Sequence, residues 1–127
     1  LAVQKEIQEK NLLDNVRQQG ELLQNLLKKS AINHPYIGDI RGRGLLIGVE
    51  LVKDKINKTP FSPEEKIHAK IKQLALQKGL MVYPMGGTID GKYGDHVLLA
   101  PPFIINEIQI EEITEKLISS INEATHY

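Results

Sequence analysis

Cysteine is absent from this 127-residue chain. Its absence excludes disulfides and thiolate chemistry, and it fits a reducing cytoplasm. Net charge is absent too, because sixteen Lys and Arg cancel sixteen Asp and Glu. Without a surplus of cations, neither nucleic acid nor an anionic membrane surface is the expected partner. No apolar run approaches the roughly 20 residues that a membrane-spanning helix needs, and no signal peptide is visible. Arginine is scarce, limited to Arg17, Arg41 and Arg43, so few side chains offer a planar fork to a carboxylate or phosphate. The chain also lacks an initiator methionine. It opens Leu1-Ala2-Val3, inside a helical pattern and without a cap, so we expect an excised piece of a longer protein, the alternative being simple removal of a tag or the initiator methionine.

What is present is ordinary for a single globular domain. Hydrophobic residues make up 41% and charged residues 25%, and a chain of this length buries roughly two-thirds of its unfolded surface. Residues 2–29 read as one long helix. Val3, Ile7, Leu12, Val16, Leu23, Leu26 and Leu27 form its apolar stripe, with Lys28 and Lys29 at the negative end. Gly20 inside it marks a kink or a close contact, since a mid-helix glycine costs about 1 kcal/mol. Leu45 to Val52 alternates as a strand, with Leu45, Ile47, Val49 and Leu51 on one face and Gly48 and Glu50 on the other. Tyr36 to Arg41 is a candidate for a further short strand, and Lys53 to Pro60 reads as a solvent loop.

Ser62-Pro63-Glu64-Glu65 reads as a capped helix start, with Glu65 closing a capping box. Ile67, Ile71, Leu74 and Ala75 follow as a buried stripe, and Gly79 stops the helix. A strand Leu80–Tyr83 comes next, then a loop with Gly86, Gly87, Gly91 and Gly94, then a strand from His96 to Ala100. Asn106 and Gln109 form a capping box for a last helix, whose stripe is Ile110, Ile113, Leu117 and Ile121. The order helix, strand, helix, strand, strand, helix predicts an α+β domain: a small, mainly antiparallel sheet with helices packed on one face.

Residue types with chemistry are few. Arg41 and Arg43 alternate with glycines, so either can clamp an anion, or it can pair with a neighbour such as Asp39 or Glu50. Gly94-Asp95-His96 offers half of an acid–base pair, or simply a turn aspartate before a strand. His34, His68, His96 and His126 show no metal-ligand spacing, and His68, next to Ile67, is expected to face solvent. Gly86-Gly87-Thr88 resembles a phosphate cradle, but a strand rather than a helix follows it. No lysine sits in the apolar setting that Schiff-base chemistry requires. We therefore assign no catalytic residue and no metal ligand to this chain.

Residues 33–105 resemble the C-terminal small domain of the class III aminotransferases, enzymes that use pyridoxal 5'-phosphate. The matching pieces are His34-Pro35-Tyr36-Ile37-Gly38-Asp39-Ile40-Arg41-Gly42-Arg43-Gly44-Leu45, Gly48-Val49-Glu50-Leu51, Gly79-Leu80-Met81-Val82-Tyr83-Pro84, and Gly94-Asp95-His96 through Ala100-Pro101-Pro102-Phe103. The flanking helices suit that domain, so residues 1–127 read as one small domain: a long helix, 2–29, and an α+β core, 36–124.

The resemblance implies a homodimeric, cytoplasmic enzyme that moves an amino group between an amine or ω-amino acid and a keto acid. The Schiff-base lysine and the phosphate cup would lie in a large domain absent from this chain. This piece would form one wall of the substrate cleft and bind no cofactor alone. Arg41, Tyr83, Gly86, Gly87 and His96 would lie towards substrate. Two positions depart from the pattern. Leu98 stands where many members keep a carboxylate-gripping arginine, and the strand that ends at Tyr83-Pro84 lacks the arginine other members place there. The alternative is a free-standing α+β module that binds a ligand or docks a partner on its long helix.

Overall fold

A computed structural model describes residues 2–86, 94–101 and 106–127; the side chains of 2–12 and 84–85 lie outside the description. Three helices and a four-stranded antiparallel sheet follow in the order α1 (Ala2–Ala31), β1 (Ile37–Arg43), β2 (Leu46–Leu51), α2 (Ile67–Gln77), β3 (Tyr83–Gly86), β4 (Asp95–Leu99) and α3 (Glu107–Thr125). The strands lie side by side as β1-β2-β4-β3. The α+β class expected from the order of elements is the one found, with α1 over β1, α2 over β3 and β4, and α3 against both other helices.

Period-two alternation builds the core. Ile47, Val49 and Leu51 of β2 and Val97 and Leu99 of β4 point to the helices, where they meet Leu23, Leu27, Ile71, Leu117 and Ile121 in one buried cluster. Each such side chain contributes about 1.5–3 kcal/mol by leaving water. β1 joins through a bulge at Gly38, between the pairs Ile37↔Leu51 and Asp39↔Glu50. The extra residue lets Ile37 and Ile40, three apart in sequence, both turn inward.

Gly20 proves to be a close contact. A Cβ there would stand 2.2 Å from the Gly44 carbonyl oxygen. Gly44 opens the two-residue β1–β2 hairpin loop at a φ of +58°, a conformation glycine adopts without strain. The long helix thus rests on the hairpin turn at a point where two glycines meet. Of its expected stripe, Leu23 and Leu27 are fully buried and Val16 and Leu26 partly so, whereas Val3, Ile7 and Leu12 lie outside the described side chains.

α2 ends as expected but does not begin so. Gly79, at a φ of +82°, closes a Schellman motif: Leu80 N–H donates to Ala75 O at 2.8 Å and Gly79 N–H to Leu76 O at 3.0 Å. At the other end, Ser62 makes no side-chain cap, and Pro63–Glu65 forms only a single 3-10 turn. Lys66 then takes a left-handed φ of 48°, and the α-helix starts at Ile67. The Ser62–Glu65 capping box is therefore corrected; the Asp95 carboxylate supplies that cap from β4, as described below. The strand expected at Leu80–Tyr83 is shifted to Tyr83–Gly86, because Leu80 is spent in the helix stop and only the later residues pair with β4. α3 carries the expected capping box, with Gln109 N–H donating to Asn106 Oδ1 at 2.9 Å and Asn106 N–H to Gln109 Oε1 at 3.0 Å.

Candidate functional site

The face of the sheet turned away from the helices collects the charged and partly exposed side chains. Register fixes two rows across it. Arg41 pairs with Gly48, Gly48 with Leu98 and Leu98 with Tyr83. Two residues further along each strand, Asp39 lies opposite Glu50 and Glu50 opposite His96. Three of the five residues assigned to substrate from the sequence, Arg41, Tyr83 and His96, thus share this open face. Arg41 and Tyr83 stand three strand spacings apart, roughly 14 Å. Gly87 lies outside the described residues.

Arg41 takes the paired reading. Its Nε lies 2.8 Å from Asp39 Oδ2 and its Nη2 3.2 Å from Glu50 Oε2, although the side chain remains 71% exposed. His96 Nε2 lies 3.8 Å from the same Glu50 oxygen. Two carboxylates facing one guanidinium give this row a surplus of negative charge before His96 is counted. Tyr83 is 52% exposed, and its hydroxyl reaches Met81 Sδ at 3.9 Å. A cleft of about 330 Å³ lies beside it, between β3, the end of β4 and the start of α3, lined by Met81, Tyr83, Pro101, Gln109 and Lys116 among others. Arg41, Gly86 and His96 do not line it.

Gly86 belongs to a different environment. A Cβ on it would collide with the imidazole of His68, 2.5 Å from Cε1. That ring is hydrogen-bonded through Nδ1 to Asp95 Oδ1, which also accepts the His68 backbone N–H at 3.2 Å. Asp95 is 5% exposed. Its negative charge sits where the unpaired N–H groups and the positive end of α2 favour it. The expectation that His68 faces solvent is therefore corrected. Sequence reasoning had marked Asp95 as half of a pair, but its partner is His68 and not the adjacent His96, which points to the other side of the sheet. A helix start with no local cap is the sequence signal that could have exposed this pairing.

A buried histidine, His34, lies away from both. His34 Nδ1 accepts the Tyr36 backbone N–H at 3.2 Å, so Nε2 is the protonated nitrogen that donates to Asn122 Oδ1 at 2.7 Å. Burial holds its pKa below the ordinary 6.5; the Lys55 ammonium pushes the same way and the Asn122 bond opposes. Lys55 Nζ donates to the carbonyls of Ala31 at 2.5 Å, Ile32 at 3.2 Å and His34 at 3.3 Å, closing the end of α1. The Tyr127 ring packs at a tilt of 49° against His34, with ring centres 4.6 Å apart.

Among the described residues no group of three His, Asp or Glu converges as a metal site, and no helix is long and apolar enough to cross a membrane. No described lysine is buried.

Comparison with known proteins supplies the context. The family model for class-III aminotransferases matches residues 1–121. An uncharacterized aminotransferase of Schizosaccharomyces pombe is 45% identical over 121 residues, which are 95% of this chain and 26% of that protein. A transaminase from the marine bacterium Virgibacillus superposes with a TM-score of 0.85 at 29% identity, over 94% of this chain and 26% of that one. The omega transaminase of Pseudomonas jessenii, solved in complex with PMP, gives a TM-score of 0.79 at 31% identity, over 96% of this chain and 25% of its own. The chain spans about a quarter of the length of these relatives.

Proposed function

This chain belongs to the class III aminotransferases, and from that premise we propose that it is the small domain of an enzyme that moves an amino group from an amine or ω-amino acid to a keto acid. The family is dependent on pyridoxal phosphate, which supplies an electron sink for the carbanion formed at the donor carbon. The residues described here do not fit the role of holding that group. Among the described residues no lysine is buried, and Asp95, the one buried carboxylate among them, is already satisfied by His68 and the start of α2. We therefore place cofactor binding and the reactive lysine in the part of the protein that lies outside this chain.

The single observation that carries the reading is the grouping of Arg41, Tyr83 and His96 on the face of the sheet that the helices leave uncovered. In this proposal that face is one wall of the substrate cleft, while Gly86, packed against His68, is withdrawn from the substrate role the resemblance implied. The wall excludes water with Tyr83 and Leu98 and sets the local field with Asp39, Arg41, Glu50 and His96. It moves against the remainder of the protein when substrate binds. The full-length enzyme works as a homodimer in the cytoplasm. No particular observation favours a free-standing module.

The test is amino transfer by the full-length protein. Supplied with pyridoxal phosphate, pyruvate and a panel of amines and ω-amino acids, it should produce alanine, detected by mass spectrometry. Absence of product with every donor, and with 2-oxoglutarate in place of pyruvate, would contradict the proposal.

A further inference from the structure

β3 lies at the edge of the sheet and pairs only with β4. It is short, Tyr-Pro-Met-Gly, and its proline has no N–H to give to a ladder, so strand pairing alone holds it weakly. Tyr83 opens it and Gly86 closes it. Gly86 pairs with Asp95, which is a buried, inward residue of β4. The side chain that Gly86 lacks would therefore point inward too, towards α2. The His68 imidazole of α2 already fills that place. Its Cε1, Nε2 and Nδ1 lie 2.5, 2.9 and 3.1 Å from where a Cβ on Gly86 would stand.

The ring is itself fixed. His68 Nδ1 and the His68 backbone N–H both engage Asp95 Oδ1, and Asp95 is the ladder partner of Gly86. A ring on α2, a carboxylate on β4 and a bare backbone on β3 thus close into one unit. Capping α2 does not require the imidazole, because any residue at position 68 except proline brings the backbone N–H that Asp95 accepts. What the imidazole adds is its contact with Gly86. That contact ties the free edge of the sheet to a helix, at the end of the strand that carries Tyr83.

We propose, resting on the reading of the open face as a wall of the substrate cleft, that His68 is a positioning residue. Its ring stands in for the side chain missing at Gly86 and clamps the end of β3 between α2 and β4. Tyr83, on the same short strand, is thereby held in the wall. His68 touches no substrate and acts only through β3. Its loss then weakens substrate binding and spares the chemical step, which raises KM and leaves kcat alone.

The experiment uses the full-length enzyme with its cofactor, pyruvate as acceptor, and 1-phenylethylamine as donor, or β-alanine where that amine is not turned over. His68→Asn keeps an amide donor for Asp95 and the backbone cap but empties the space beside Gly86. It should raise KM for the donor about fivefold and hold kcat within about twofold. Gly86→Ala alone meets the ring and should raise KM similarly; its φ is not left-handed, so alanine suits the backbone. In the double variant the methyl group enters the vacated space, and KM should return to within about twofold of wild type. A histidine that served only to cap α2 gives another pattern: less folded enzyme, a lower apparent kcat, an unchanged KM and no rescue. An unchanged KM in His68→Asn, or a double variant worse than both singles, would overturn the proposal. Should His68→Asn not fold, Gly86→Ala decides alone, and an unchanged KM there overturns it. Wild-type inactivity with every donor would instead overturn the aminotransferase reading beneath it.

Discussion

The two faces of this sheet are made by alternate residues of the same strands, and they obey different rules. Towards the helices stand Ile47, Val49, Leu51, Val97 and Leu99, each nearly or wholly withdrawn from water. Away from them stand Leu46, Gly48, Glu50, His96 and Leu98, a mixture that no core would select. Packing explains the first set residue by residue. It explains little of the second, where a glycine with room for a side chain, an exposed tyrosine and a net-negative charge row share one surface. The inner face carries stability, and the outer face is where function has to be sought.

The sharpest way to break that contrast is to truncate both faces. Ile71→Ala or Leu117→Ala should cost about 2–5 kcal/mol, since both side chains are fully buried. Leu46→Ala on the outer face should cost under about 0.5 kcal/mol. Urea titration of the full-length protein and its variants checks the difference, and comparable costs on the two faces would refute the division.

Asp95 is the exception that links the faces, a strand residue turned inward yet charged. Asp95→Asn should destabilise by about 1–3 kcal/mol, because the His68 pair and the favourable charge at the start of α2 are both lost. Hydrogen exchange should localise the loss to the first turn of α2. Protection unchanged there would show that the helix starts without this carboxylate.

That cap also shows where sequence reading stops. α3 was legible because its signals are local: Asn106 and Gln109 are three residues apart, and its stripe needs only helical periodicity. Gly79 was legible for the same reason. The start of α2 was not, because its cap comes from a residue 27 positions downstream, while the nearby Ser62-Pro63 imitates a start that the left-handed Lys66 interrupts. The bulge that turns both Ile37 and Ile40 inward was equally hidden, since it exists only in the pairing with β2. The candidate site was half legible. Arg41, Tyr83 and His96 were individually marked, but their common face follows from the strand order β1-β2-β4-β3, which no local pattern encodes.

Smaller effects sharpen the picture. The folded-state pKa of His34 lies below the ordinary 6.5, so protons bind the unfolded chain more tightly. Its contribution to stability is complete above about pH 6.5 and is lost as pH falls through the lower folded-state value. Protonation would also set a hydrogen on Nδ1 against the Tyr36 N–H. Urea midpoints taken from pH 8 to pH 5 should fall with acid, and His34→Gln should flatten that part of the slope. A slope identical to wild type would exclude His34 as its source. Least of all, Arg41→Gln should change stability by no more than about 1 kcal/mol, an effect that fades with added salt, as expected of an exposed pair.

The central claim is that this domain shapes the substrate's surroundings while the reactive centre lies elsewhere in the protein. Borohydride reduction of the full-length enzyme with bound pyridoxal phosphate, followed by peptide mapping, locates the modified lysine. The account expects it outside residues 1–127. A single stoichiometric adduct on a lysine within them, matched by loss of activity, would contradict it.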